Sequence, residues 1–248
     1  MTTPEPHAPQ PVAIYTMGKV GSSSVTTALT GAGFEALQIH VLRGGLKTLK
    51  RRMERRPNAA HLKTSVQVVE LIDSGQPPMT ITLMREPVAR NVSAFFQNFD
   101  RLVGGDVDSY TAKEIQSLIC EKVSPREPQD WIEEELEEIA EVDFGRHHLY
   151  RGATTATEAK WPVLLLRSDL DDDSKSASMR EFLDHPDITV ERSSNITAEK
   201  SGGDLYSEIK RIGLPKSYVD ECLSQPFVKN LLSAEEIEAS KARWIEST

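Results

Sequence analysis

The chain has 248 residues, 38% of them hydrophobic and 27% charged, with a net charge of −9. That is enough to bury the core of one ordinary α/β domain and short for two, so residues 12–248 read as a single domain behind a polar, proline-bearing tail at 1–11. The acidic balance argues against broad attachment to nucleic acid or anionic lipid, and no stretch approaches the roughly 20 apolar residues that span a bilayer. The tail has neither the basic nor the apolar segment of a secretion signal, so the expected location is the cytoplasm. Cys120 and Cys222 have no CxxC partner and no paired histidines nearby, and read as free thiols rather than a disulfide or zinc site.

In chain order, residues 11–17 (PVAIYTM) form a β-branched apolar run that stops at glycine, the mark of a buried strand. A helix is predicted over 22–29, closed by Gly31 and Gly33, and a second strand over 34–42. Two amphipathic helices follow at 46–56 and 61–73, split by Pro57 and Asn58. The run 78–84 (PMTITLM) predicts a strand and 88–99 a helix with Pro87 in its first turn. The pattern predicts continuous helix over 111–140 with an acidic surface at 133–141, a buried strand over 161–167, an acidic turn at 169–173, a short helix at 179–183 and helix throughout after Gly203. Strands alternating with helices imply an α/β fold with a central, mostly parallel sheet flanked by helices and a helical C-terminal part. Such sheets bind ligands at the carboxyl ends of their strands.

The loop 18–24 (GKVGSSS) joins the first strand to the first helix, so its N–H groups and the helix dipole point toward whatever binds there. Gly21 permits close backbone approach, Ser22, Ser23 and Ser24 offer hydroxyls, and Lys19 adds a mobile charge. An anion fits; so does a plain helix start with a serine N-cap. The Walker order GxxxxGK[ST] is absent, because here the lysine precedes the glycine.

Lys19, Gly21, Ser22 and Ser23, in the order Lys-x-Gly-[Ser/Thr]-[Ser/Thr], resemble the 5′-phosphosulfate loop of the sulfotransferase superfamily. Residues 85–93 (REPVARNVS) match the RxPxxRxxS form found in carbohydrate sulfotransferases, whose arginine and serine contact a 3′-phosphate. Read without the resemblance, Arg85 neutralises Glu86 or caps a neighbouring helix. Residues 163–170 (VLLLRSDL) resemble a later strand of the same superfamily, with a structural role. The C-terminal part, with Asn195, Lys200, Tyr206, Tyr218, residues 233–237 (SAEEI) and Trp244, looks like the bacterial capsular polysaccharide synthesis proteins.

The resemblance implies a P-loop NTPase-like sulfotransferase fold and 3′-phosphoadenosine 5′-phosphosulfate (PAPS) as co-substrate, with no metal. It implies that Lys19, Gly21, Ser22, Ser23 and Ser24 hold the phosphosulfate and that Lys19 is also catalytic at the bridge oxygen. Arg85 and Ser93 hold the 3′-phosphate, and Asn195 or Lys200 stands in for the absent RKGxxGDWK segment. The acceptor is a hydroxyl or amine, foremost of a carbohydrate. A P-loop-like nucleotide kinase and a non-catalytic nucleotide-binding module of polysaccharide assembly are the competing readings.

Transfer also needs a proton acceptor, and a neutral imidazole suits that role. His40, at the end of the second strand, is the candidate; a buried strand histidine with a satisfied hydrogen bond is the equally plain alternative. The dense basic stretch Arg43, Lys47, Lys50, Arg51, Arg52, Arg55 and Arg56 reads as a solvated helix face or as a wall for an acidic acceptor. Trp131 and Trp161 suit a sugar platform or the core.

Overall fold

A computed structural model describes residues 10–191 and 203–246. They fall into two compact units. The first comprises residues 10–84, 134–143 and 152–191; the second comprises residues 85–133, 144–151 and 203–246.

The first unit is α/β. Its strands are β1 (Pro11–Tyr15), β2 (Glu35–Ile39), β3 (Met79–Met84), β4 (Thr154–Ala156) and β5 (Val163–Arg167), in one sheet of order β2-β1-β3-β5-β4. β1 pairs in parallel with β2 and β3, β3 in parallel with β5, and only β4 runs antiparallel. Helices α1 (Ser22–Gly31), α2 (Gly45–Arg55), α3 (Ala60–Asp73) and α8 (Asp172–Leu183) flank the sheet. Val163 to Leu166 are all buried, which is why β5 is apolar at successive positions instead of alternating. Val25 and Leu29 of α1 and Val68 of α3 complete the core beside Ile14, Ile39 and Ile81.

The strand order places the site. From β1 the chain goes to β2 on one side, then crosses back to β3 on the other. The carboxyl end of β1 therefore lies where the strand order reverses, the position at which open parallel sheets leave a crevice.

The second unit is helical: α4 (Pro87–Gln97), α5 (Phe99–Leu102), α6 (Ala112–Lys122), α7 (Glu127–Trp131), α9 (Gly203–Ile212), α10 (Lys216–Leu223), α11 (Val228–Leu231) and α12 (Ala234–Trp244). Tyr218 donates to the Val123 carbonyl at 3.2 Å and accepts from Asn91 at 3.3 Å, so its hydroxyl is satisfied inside the core. Tyr206 and Trp244 are also buried, and Ser233 with Glu236 forms a capping box that starts α12.

Several expectations are corrected. β2 stops at Ile39, so His40 lies just past the strand rather than in it, and β5 begins at Val163 rather than at residue 161. The continuous helix over 111–140 is three pieces: α6 ends at Lys122, α7 spans Glu127–Trp131, and Ile132–Glu137 is a π-helical turn. Pro128 in the first turn of α7 explains the restart, since proline has no N–H to continue the preceding helix. The acidic surface at 133–141 is interrupted by Glu135, which is only 4% exposed. The helix expected at 179–183 starts seven residues earlier, because Asp171 caps it by accepting from Ser174 N at 2.7 Å. β4 has no expected counterpart; three residues are too few to show a period.

Candidate functional site

The loop after β1 turns sharply. Lys19 has φ 73° and Gly21 φ 78°, both left-handed, while Val20 between them is buried and anchors the turn. A left-handed conformation costs a non-glycine residue roughly 1–2 kcal/mol, so holding Lys19 there is strain of the kind found at ligand sites. The N-cap of α1 is Gly21 and not a serine. No side chain caps the helix, and its first turn has no acidic residue. The positive end of the α1 dipole therefore stands at the sheet's carboxyl edge with no acidic side chain of its own first turn to meet it.

The three serines have different duties. Ser22 is buried, and its Oγ accepts from Gln38 Nε2 at 2.8 Å. Ser24 Oγ donates back to the Gly21 carbonyl at 3.2 Å, which braces the cap. Ser23 is exposed. Of the expected hydroxyls, Ser23 is thus the one presented to solvent, whereas Ser22 is shared with β2.

His40 is held at this same edge. Its Nδ1 lies 2.7 Å from the Thr16 carbonyl, and a carbonyl only accepts, so Nδ1 carries the proton and Nε2 is the basic nitrogen of the neutral ring. Thr16 N donates to Ile39 O at 3.1 Å, extending the β1–β2 ladder to the residue before His40. The hydrogen bonds of Gln38 and His40 tie the end of β2 to the Lys19 loop. The His61 ring lies 5.9 Å from that of His40, and burial, His40 and Arg56 together hold the His61 imidazole below its ordinary pKa.

One buried carboxylate fixes the segment that follows. Glu135 Oε2 accepts from Leu42 N at 2.7 Å, from Arg43 N at 3.1 Å and from the Tyr15 hydroxyl. Burial and the neighbouring Glu135 charge push the Tyr15 phenol well above its usual pKa, so it stays a neutral donor. Beside it, Arg43 pairs with Glu134 at 2.5 Å across an exposed surface. The π-helical turn thereby pins the loop between β2 and α2.

Tyr15, Gln38 and Glu135 are absent from the expected site. Gln38 was within reach, since it and His40 are two apart at the end of a strand and share a face. Glu135 sits three residues after Ile132 and one before Leu136, both buried, so helical spacing put it on the inward face of an otherwise acidic run.

In the second unit, Arg85 is half-buried and Ser93 is 4% exposed. Between them Glu86 is the N-cap of α4, accepting from Val88 N at 3.0 Å, Ala89 N at 2.6 Å and Ser240 Oγ at 2.9 Å. Arg90, the second arginine of the motif, is buried and bound to Glu127 at 3.0 Å. Asn195 and Lys200 lie outside the described residues. Trp161 is 3% exposed in the first unit's core, which leaves no ring face for a sugar. Arg167 grips Asp169 through Nε at 2.9 Å and Nη2 at 2.6 Å and holds that carboxyl below the usual range, a brace at the end of β5. Among the described residues no helix is long and apolar enough to cross a membrane. No family model matches this chain, and neither does any curated protein or solved structure.

Proposed function

We propose that this chain is a PAPS-dependent sulfotransferase with a P-loop-like sulfotransferase fold, transferring a sulfuryl group to a hydroxyl or amine, foremost of a carbohydrate. The observation that carries the reading is the loop after β1: a strained Lys19 and a left-handed Gly21 lead into an uncapped helix at the point where strand order reverses. That arrangement suits the charged end of a nucleotide. The 3′-phosphate half of the reading is supported by the sequence pattern from Arg85 to Ser93 alone.

In this reading the acceptor oxygen attacks sulfur, and the bond from sulfur to the phosphate bridge oxygen breaks. The acceptor proton goes to His40 Nε2, and the electron pair of the broken bond stays on the phosphate. Lys19 and the N–H groups at the start of α1 offset the charge that develops there; the gain is positioning and electrostatic stabilisation. Arg85 and Ser93 hold the 3′-phosphate, with Asn195 or Lys200 beside the nucleotide.

Calorimetric titration with 3′-phosphoadenosine 5′-phosphate tests the donor. Binding is expected to be tighter than that of ATP, and Arg85→Ala is expected to remove most of the difference. Equal affinity for the two nucleotides in the wild type overturns the assignment of Arg85 and Ser93. A His40→Ala variant that turns over normally removes His40 from the mechanism.

A further inference from the structure

We infer that the cavity between α2 and α3 binds the oxyanion group of an acidic sugar, which is the acceptor of the transfer proposed above; the inference rests on that reading. The cavity has a volume of about 360 Å³ and is lined by Val41, Arg52, Arg55, Arg56, His61 and Leu62. That is the lower end of the ordinary range for ligand cavities, about 300–1,000 Å³, and suits one charged ring rather than a long chain.

Leu49 of α2 is buried and Leu46, Thr48 and Met53 are half-buried, whereas Lys47, Lys50, Arg51, Arg52 and Arg55 of this very basic helix are exposed. Arg52 and Arg55 in its last turn complement the negative end of the helix dipole, which by itself accounts for their choice. It does not account for Arg56, beyond the helix, converging with them and with His61 on one cavity. Nor does it account for the pairing. Nearby, Lys50 is bound to Glu70 at 2.9 Å and Arg43 to Glu134 at 2.5 Å. Among the described residues no carboxylate pairs with Arg52, Arg55 or Arg56.

The first turn of α3, which contributes His61 and Leu62, has no side-chain cap and no acidic residue. Three exposed guanidinium groups, an uncapped helix start and an imidazole whose protonation is disfavoured by burial, His40 and Arg56 make a positive cleft that an oxyanion relieves. Val41 and Leu62 supply apolar surface for the C–H face of a ring. His61 stands 5.9 Å from His40, so a sugar anchored here lies one imidazole away from the proposed base.

The test is calorimetric titration of the full chain, without donor, using a galacturonic acid trisaccharide, a sulfated galactose trisaccharide and neutral galactotriose. One or both charged probes are expected to bind with one-to-one stoichiometry and the neutral one at least tenfold more weakly; the charged arms show whether carboxylate or sulfate is preferred. Arg52→Gln with Arg55→Gln, checked for fold by circular dichroism, is expected to weaken the charged probe at least tenfold. Lys47→Gln with Arg51→Gln removes the same charge from the same helix outside the cavity and is expected to leave binding within twofold. Saturation with the charged probe is expected to raise the His61 pKa followed by NMR, the groups facing it being His40, Arg52, Arg55 and Arg56.

Equal weakening by both double variants, or no preference for charge, overturns the inference and leaves the donor assignment standing. Cavity-specific binding of the charged probe, without binding of 3′-phosphoadenosine 5′-phosphate, supports an acidic-sugar site but overturns its role as a sulfuryl acceptor. Binding of both, with labelled sulfate passing to the charged sugar and not to the neutral one, supports the inference in full.

Discussion

Helices α1 and α4 both begin a few residues after a strand of the parallel sheet, yet their N-termini are finished in opposite ways. α1 is entered through left-handed Gly21 with no side-chain cap and no acidic residue in its first turn. α4 is entered through Glu86, whose carboxylate takes the N–H groups of Val88 and Ala89. The difference teaches that a strand–turn–helix unit is not in itself an anion site; the residue at the N-cap decides. The first turn of α1 is left without a side-chain cap, while that of α4 is taken by Glu86. At α4, therefore, a phosphate would be met by side chains such as Arg85 and Ser93 and not by the helix end.

The largest effect that distinguishes the two is expected from Lys19→Ala. If the α1 entrance holds the transferring group, turnover falls by about 10²–10³-fold, the usual cost of removing one charge-stabilising donor. Binding of 3′-phosphoadenosine 5′-phosphate stays measurable by calorimetry. Unchanged turnover makes the α1 entrance as inert as that of α4. Next comes Gly21→Ala. A Cβ at Gly21 meets nothing within 4 Å, so the cost is conformational only: roughly 1–2 kcal/mol for a left-handed alanine, read as a lower urea midpoint. Gly18→Ala, in equally open space and without positive φ, is the control and is expected to be near neutral. Equal losses in the two variants would mean that Gly21 does not need its left-handed turn.

The parts of this comparison that were legible in the sequence are those set by local chemistry. The apolar runs of β1, β3 and β5 and the glycines after β1 locate the sheet and the loop, and Pro87 locates the start of α4. What escaped depends on tertiary partners. Nothing local shows that Ser22 is shared with Gln38, and helical spacing that turns Glu135 inward does not show that it collects two backbone N–H groups and a phenol there. β2 ends before the expected 42 although Val41 and Leu42 are apolar, because Leu42 is buried beyond the strand rather than in its ladder. In the α2–α3 hairpin the charge run was visible, whereas which arginines share a cavity follows from how the helices pack.

The smallest expected effect concerns Glu86, and it probes α4 from the other side. Glu86→Ala removes the cap and costs about 0.5–2 kcal/mol, measured by urea denaturation. Glu86→Gln is more informative, because the amide keeps an accepting oxygen but cannot ionise. Burial pushes the Glu86 carboxyl above its ordinary 4.5, outweighing the hydrogen bonds from Ala89, Val88 and Ser240 and the nearby Arg85 charge, all of which pull it down. A carboxyl with a raised folded pKa holds its proton more tightly when folded. Its stabilising contribution is therefore complete below the unfolded value and is lost as pH rises through the folded one. The stability of the wild type relative to Glu86→Gln is accordingly expected to decline as the pH of the urea titration is raised from about 4 to neutrality. A difference that instead grows with pH means that the helix end favours the ionised carboxylate over its burial cost. The α4 entrance would then be an anion site occupied by its own side chain, differing from the α1 entrance in occupant and not in kind.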